Sequence, residues 1–141
     1  MSRIYWDTLL FVYLLEGHPQ NSLRVNHLLQ RSYERGDSLY TSYLAVGELL
    51  AGARQSPDPG KGSNIRSALD EMGFSYLAFD SGGVKPFSEL RAQKKLKAAD
   101  AVHLACAASA GIDLFLTGDK QLLKLHVPGI QFIADFRTPL L

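Results

Sequence analysis

The chain has 141 residues, of which 46% are hydrophobic, and 15 basic and 14 acidic residues leave a net charge of +1. These values predict one folded domain over residues 1–141 and argue against a disordered chain or a membrane protein. The apolar amino-terminal segment is interrupted by Asp7 and is too short to span a bilayer. A single cysteine gives no sign of an oxidising compartment, so we expect the protein in the cytoplasm.

Strand and helix patterns alternate along the chain. In order, we predict a strand at 3–6, helices at 8–15 and 20–34, a strand at 38–42, a helix at 43–54, a loop at 56–63, a helix at 64–72 and a strand at 74–79. There follow a flexible segment at 81–86, helices at 87–97 and 98–110, a strand at 114–117, a short helix at 120–125 and a strand at 130–134. This alternation predicts an α/β fold with a mostly parallel sheet covered by helices on both faces.

Two acidic residues follow predicted strands. Asp7 comes directly after RIYW, and Asp119 follows LFLT with one glycine between. Open α/β sheets bind ligands at the carboxyl ends of their strands, so both positions are candidates for a functional site. The alternative is that each aspartate only caps a helix, a role worth ~1 kcal/mol.

Two further acids stand on apolar helices. Glu48 has Leu44, Ala45 and Ala51 as helical neighbours, and an unpaired glutamate on such a face is unfavourable. Asp100 begins the apolar run AADAVHLACA, where the helix dipole favours a negative charge. A salt-bridged glutamate and a dipole-stabilised aspartate are the plainer interpretations of these two residues.

Together the four acids predict one site, because a doubly wound fold can gather strand ends and helix starts in one cleft. Carboxylates that are close together repel one another unless a cation lies between them. Oxygen donors without cysteine select hard ions, so Mg²⁺ or Mn²⁺ is the expected cofactor. Such ions can activate water and stabilise phosphoryl oxygens.

Four sequence blocks resemble those of the PIN domain family, in the same order and over residues 4–123. They are IYWDTLLFVYLL, SYLAVGELLAG, AADAVHLACA and LFLTGDKQLL. The resemblance implies a three-layer α/β/α fold with about five strands. It also implies a metal-dependent endoribonuclease whose catalytic and metal-binding residues are Asp7, Glu48, Asp100 and Asp119. Thr8 and Thr117 take supporting positions in it.

A stand-alone PIN domain of this length most resembles the toxin half of a VapBC-type toxin–antitoxin pair. That similarity implies a prokaryotic source, a small antitoxin partner and a homodimer, while the RNA substrate is implied by the PIN resemblance itself. One position departs from the family pattern: Leu9 stands where many members carry Asn or Ser two residues after the first aspartate. A missing polar group there could change metal affinity or the position of a water molecule.

Several other residues have both a functional and a plainer interpretation. His103 lies one turn after Asp100, but a single histidine on an apolar helix is more often a core residue. Lys120 adjoins Asp119 and is the best candidate for a substrate contact among the basic residues, which otherwise suit a solvated face. Cys106 has small apolar neighbours and is interpreted as packing. The apolar helix with Tyr13 could form a partner groove, although ordinary core is the simpler interpretation.

Two alternatives to a nuclease remain. One is a PIN-like module that binds RNA or protein without cutting. The apolar Leu9, at a position that is often polar in the family, is the feature that favours this alternative. The other is a phosphoacceptor domain of the response-regulator kind, which also groups acids around Mg²⁺. That class requires an early acidic pair and a lysine at the end of a late strand, and this sequence has neither.

Overall fold

The computed structural model describes residues 1–58, 60 and 62–138. Its elements are β1 (Arg3–Trp6), α1 (Thr8–Glu16), α2 (Asn21–Arg35), β2 (Ser38–Ser42), α3 (Tyr43–Arg54), α4 (Ile65–Met72), β3 (Phe74–Leu77), α5 (Ser81–Gln93), α6 (Ala98–Ala110), β4 (Leu114–Thr117) and β5 (Phe132–Asp135). No helix in this part of the chain is long and apolar enough to cross a membrane.

The five strands form one parallel sheet in the order β3-β2-β1-β4-β5. Side chains of β1 alternate between two separate cores: Ile4 and Trp6 pack on one face, and Tyr5 packs on the other. The first core includes residues of α1, α2, α3 and α4, and the second includes residues of α5 and α6. The predicted three-layer α/β/α architecture is therefore confirmed.

Most predicted elements occur within one to three residues of their expected bounds. The strand predicted at 74–79 ends at Leu77, and the last strand is Phe132–Asp135 instead of 130–134. The short helix predicted at 120–125 is a 3₁₀ turn over Leu122–Lys124. The predicted loop at 56–63 has no helix or strand in its described residues, while positions 59 and 61 lie outside the described residues.

The prediction of a flexible segment at 81–86 is wrong, because α5 begins at Ser81. Asp80 caps this helix by accepting a hydrogen bond from the Gly82 amide over 3.0 Å. The glycines serve close packing: a Cβ on Gly82 would lie 2.6 Å from Ser109 Oγ, and one on Gly83 would lie 3.2 Å from the Phe79 ring. Gly82 is thus required by the contact of α5 with α6, and Gly83 by its contact with the Phe79 ring that precedes the helix. The same helix ends at Gln93, short of the predicted 97.

The sheet order determines where the candidate residues meet. β1 and β4 are adjacent, so the carboxyl ends that precede Asp7 and Gly118 lie side by side. The Asp7 amide donates to Leu116 O over 3.0 Å, which continues the ladder past the end of β1. Helices α3 and α6 pack together beside this edge. Acids on α3 and α6 can therefore reach the same cleft.

Candidate acidic active site

An open cleft of about 340 Å³ lies at the carboxyl ends of β1 and β4. It brings together the four acids singled out in the sequence, although they come from four different elements or loops. Its lining residues are Asp7, Thr8, Leu9, Val12, Glu48, Asp100, His103, Gly118 and Asp119. A cleft with this composition is a candidate site for a cation and a phosphate-containing substrate.

Asp7 is held at both carboxylate oxygens. It is the N-cap of α1, and its Oδ1 accepts a hydrogen bond from the Thr8 amide over 2.8 Å. Its Oδ2 accepts one from the Thr117 hydroxyl, also over 2.8 Å. The Thr117 oxygen in turn accepts from the Asp119 amide over 3.1 Å. The buried Thr117 side chain therefore links the positions of the two aspartates that follow the central strands.

Glu48 makes two hydrogen bonds through the same oxygen, Oε1. Thr8 Oγ1 donates to it over 2.7 Å, and His103 Nε2 lies at 2.7 Å. The hydrogen bond with His103 lowers the pKa of Glu48, with a smaller contribution from Thr8 and against the opposing effect of burial. Glu48 is therefore paired on its apolar helix and is favoured in its ionised form.

His103 combines the two interpretations that the sequence left open. It is buried, as expected for a core histidine, yet it also lines the cleft. Its Nδ1 lies 2.6 Å from the Tyr5 hydroxyl, its Nε2 lies 3.3 Å from Thr8 Oγ1, and the same Nε2 is 3.7 Å from Asp7 Oδ1. A neutral imidazole satisfies the two short contacts if Nδ1 accepts from Tyr5 and Nε2 donates to Glu48.

Tyr5 supports this arrangement from the buried side. Its side chain is fully buried, and burial raises the pKa of its phenol well above the ordinary value, so it remains protonated and can donate. Its ring also stacks on Phe115 at a centroid distance of 4.8 Å. Residue spacing is the only sequence signal for these two residues. Tyr5 lies two residues before Asp7 on the strand pattern, and His103 lies one helical turn after Asp100, so each is expected on the same side of its element as the neighbouring acid.

Asp100 occupies the first turn of α6 and faces the other acids. Burial raises its pKa most, and the negative charges of Asp119 and Asp7 raise it further. Electrostatic effects of His103 and Lys97 oppose this shift but do not cancel it. The carboxylates in the cleft therefore repel one another, which is the condition that a bound cation would relieve.

The basic residues are placed differently from the acids. Lys120 is exposed and does not line the acidic cleft, although it follows Asp119, which does. Lys85 and Lys94 line another cavity of about 470 Å³, between α5 and the segment 126–128. These two lysines therefore do not surround the cleft, whereas Lys97 is close enough to influence Asp100.

Cys106 is buried and free, and burial raises its pKa to about 11. A thiol with so high a pKa is a poor nucleophile at neutral pH. Its interpretation as a packing residue agrees with this environment.

The donor set of the cleft suits a hard divalent cation, since its acids offer only oxygen ligands. Among the described residues, no three His, Cys, Asp or Glu side chains are arranged so that they could already hold a metal ion. Glu48 instead points an oxygen at His103, and Asp7 is bonded to Thr8 and Thr117. The chemistry of the donors fits such an ion, and its binding would require the side chains to draw closer.

A sequence model of the PIN domain matches residues 4–127. The chain belongs to the PIN domain family. The match includes all four acids of the cleft together with Thr8, His103 and Thr117. Leu9, the residue that departs from the family pattern, lies in the same PIN-domain cleft and is 36% exposed.

Solved structures share the PIN fold at low sequence identity. A chain of VapBC2 from Rickettsia felis, bound to a DNA fragment from their promoter, is 20% identical with a TM-score of 0.71, covering 94% of this chain and 98% of that one. A chain of DNA-bound VapBC from Salmonella typhimurium is 18% identical with a TM-score of 0.70, covering 96% and 99%. A chain of FitAcB from Neisseria gonorrhoeae is 22% identical with a TM-score of 0.66, covering 84% and 88%. No curated protein matches this PIN domain in sequence.

Proposed function

We propose that this PIN domain, residues 1–141, is a metal-dependent endoribonuclease that hydrolyses RNA phosphodiester bonds and is the toxin of a VapBC-type pair. The observation that carries the proposal is the meeting of Asp7, Glu48, Asp100 and Asp119 in one open cleft. Membership of the PIN family adds to it, because PIN toxins are generally nucleases.

Asp7, Asp100 and Asp119 are the proposed principal ligands of Mg²⁺ or Mn²⁺, directly or through water. When bound, such an ion activates water as a nucleophile and stabilises the charge on phosphoryl oxygens. Burial and, after it, repulsion by Asp119 and Asp7 raise the pKa of Asp100, and the repulsion supports this assignment, since a cation between the carboxylates would offset it. The Thr117 hydroxyl keeps Asp7 in place while the other side chains adjust.

Glu48 is the proposed group that ligates a second ion or orients the attacking water. Its contacts with Thr8 and His103 both use Oε1, and we assign Oε2 to the water or ion. His103 is a positioning residue in this scheme: its N–H fixes the Glu48 carboxylate, and the Tyr5 hydroxyl fixes the orientation of the imidazole. An outer contact of this kind typically changes metal affinity or activity about 10- to 100-fold.

The partners are proposed from the neighbouring structures. VapBC2 from Rickettsia felis is bound to a DNA fragment from their promoter, and the similar chain from Klebsiella pneumoniae belongs to a toxin–antitoxin complex. These likenesses, with nearly complete coverage of both chains, support a small antitoxin as the partner. We also propose a homodimer and a cytoplasmic location.

A non-cleaving module is the second candidate, and Leu9 is the observation that favours it. Its apolar side chain occupies cleft surface where a polar group would help to hold a water molecule. The Gly118 backbone lies against it, since a Cβ on that glycine would be 2.9 Å from Leu9 Cδ2. Binding of RNA without turnover would support this candidate.

The test is incubation of the purified protein with a panel of single-stranded and structured RNAs and matched DNA in Mg²⁺ or Mn²⁺. Cleavage of RNA that stops in EDTA, with DNA left intact, is the expected result. Cleavage that continues in EDTA would contradict the metal requirement. RNA binding without any cleavage would replace the nuclease with the non-cleaving module.

A further inference from the structure

Two tyrosines and one arginine form a stacked group on the surface at the carboxyl ends of β2 and β3. The rings of Tyr43 and Tyr76 lie 5.6 Å apart between centroids and are inclined by 29°. The guanidinium carbon of Arg66 lies 4.3 Å from the Tyr76 centroid and 5.6 Å from the Tyr43 centroid. We call these three side chains the stacking platform.

The stacking platform is accessible and held in place. Tyr43 is 52% exposed, and the side chain of Arg66 is 50% exposed. Asp70 anchors the group from below: it accepts a hydrogen bond from the Tyr76 hydroxyl over 2.5 Å and lies 3.6 Å from Arg66 Nε. An exposed aromatic ring that is already oriented by neighbours offers a planar surface at little further ordering cost.

The position of the platform relates it to the cleft. Tyr43 directly follows β2, and β2 is the neighbour of β1, which precedes Asp7. The Thr41 hydroxyl donates to Trp6 O over 2.9 Å, so the carboxyl ends of these two strands lie at the same level. Neighbouring strands are ~4.8 Å apart. The start of α3 therefore lies within a few nucleotides' reach of Asp7 along this edge.

Helix α3 itself joins the platform to the cleft. Tyr43 is its first residue and Glu48 its sixth, a separation of ~7.5 Å along the helix axis. The two residues point in different directions around the helix, because five residues correspond to about 500° of rotation. The two side chains are therefore about 140° apart around the axis, and an RNA strand that passes Glu48 must cross the amino-terminal end of α3 to reach Tyr43.

We propose that the stacking platform binds an unpaired nucleotide of the RNA strand that is cut at the acidic cleft. The inference rests on the proposed nuclease function and adds a substrate-binding subsite to it. Single-stranded RNA is recognised by stacking of bases on aromatic rings and on arginine planes, with little dependence on sequence. The half-exposed Arg66 guanidinium can also contact the flanking phosphate, while its ion pair with Asp70 offsets part of the positive charge.

The test measures binding of a fluorescent single-stranded RNA by anisotropy, in EDTA so that the strand stays intact. Tyr43→Ala is expected to weaken binding at least about fivefold, whereas Tyr43→Phe retains the ring and the affinity. The control is Phe132→Ala, which removes a 63% exposed aromatic side chain from the start of β5, at the opposite edge of the sheet. Thermal unfolding of each variant checks that the fold is retained.

A second strand of equal length, with abasic spacers in place of its bases, separates stacking from charge. It should bind the wild type more weakly than the RNA, and Tyr43→Ala should not weaken its binding further. Equal RNA affinity of the wild type and Tyr43→Ala would overturn the platform alone, even if the protein cleaves RNA. A wild type that neither binds nor cleaves RNA would overturn the proposed function and the platform with it.

Discussion

His103 Nε2 lies 2.7 Å from Glu48 Oε1, and this contact joins α6 to α3 behind the acidic cleft. The histidine is 3% exposed, so the carboxylate is fixed by a buried group and not by a mobile surface side chain. Its other nitrogen contacts Tyr5 on β1. Three elements thus determine where one oxygen of Glu48 stands.

Replacement of His103 should separate catalysis from substrate binding. We expect His103→Ala to lower kcat for RNA cleavage about 10- to 100-fold with little change in KM, because Glu48 loses its positioning donor. His103→Gln can restore an N–H donor and should recover part of the rate. A change in KM alone, with the single-turnover rate constant for cleavage unchanged, would contradict the positioning role.

The same change should also affect stability. His103→Ala removes the short contact of the buried Tyr5 hydroxyl with the imidazole, and we expect the free energy of unfolding to fall by ~1–3 kcal/mol. The double variant Tyr5→Phe/His103→Ala removes both polar groups. Its loss in the free energy of unfolding should be smaller than the sum of the losses in the two single variants. Urea denaturation measures these differences, and strict additivity would show that the Tyr5–His103 contact is not energetically coupled.

Asp100 should make the metal-free protein less stable at neutral pH. Its raised pKa means that the folded state binds a proton more readily than the unfolded state does. Stability therefore falls as pH rises from the ordinary value of 3.8 through the folded pKa, and the loss persists above it. In EDTA at pH 7, Asp100→Asn should unfold at a higher temperature than the wild type.

This difference in unfolding temperature should shrink as the pH is lowered toward 3.8, where the wild-type carboxyl also becomes protonated. Addition of Mn²⁺ at pH 7 should raise the unfolding temperature of the wild type more than that of Asp100→Asn. A variant that is no more stable than the wild type at pH 7 in EDTA would contradict the inference that burial and repulsion disfavour the ionised Asp100 carboxylate.

Asp7→Asn should abolish cleavage while the protein stays folded. The side-chain amide can still accept the hydrogen bond from the Thr8 amide or from Thr117, but it lacks the charge needed to bind a cation. We expect a loss of about 100-fold or more in the cleavage rate. Circular dichroism should show unchanged helix content, and undiminished cleavage by both Asp7→Asn and Asp100→Asn would remove the site assignment.

Two left-handed glycines should respond differently to alanine. Gly17 has φ +70 with nothing within 4 Å of an added Cβ, so Gly17→Ala should cost only ~1–2 kcal/mol. Gly129 has φ +99, and its Cβ would lie 2.5 Å from Ala108 O. Gly129→Ala should lower the free energy of unfolding by more than Gly17→Ala does, because backbone atoms must move. Equal losses in urea denaturation would show that the contact with Ala108 is easily relieved.

The sequence predicted the elements whose local pattern agrees with their final packing. Helix α5 is the exception, because glycine and proline weaken helices in isolation, whereas here Gly82 is required by its approach to Ser109 on α6. That requirement is set by a contact between distant parts of the chain. The local sequence around the helix therefore gave no indication of this requirement.

The meeting of the four acids in one cleft could be predicted because their positions at strand ends and helix starts follow from local patterns. The Tyr5–His103 pair could not be, since its members are 98 positions apart and neither shows a distinctive motif. The stacking platform could not be predicted for the same reason, because Tyr43, Arg66 and Tyr76 come from three separate elements. Long-range side-chain pairing is settled only once the sheet order is known.

The most direct test of the metal-dependent nuclease is the single-turnover cleavage rate of one single-stranded RNA as Mn²⁺ is titrated into metal-free protein. Wild type and Asp100→Asn are compared over the same concentrations. We predict no cleavage without the ion, a saturable rise for the wild type, and a strongly reduced rise for the variant. Cleavage in the absence of the ion, or identical curves for the two proteins, would contradict the proposal that this cleft holds the catalytic metal.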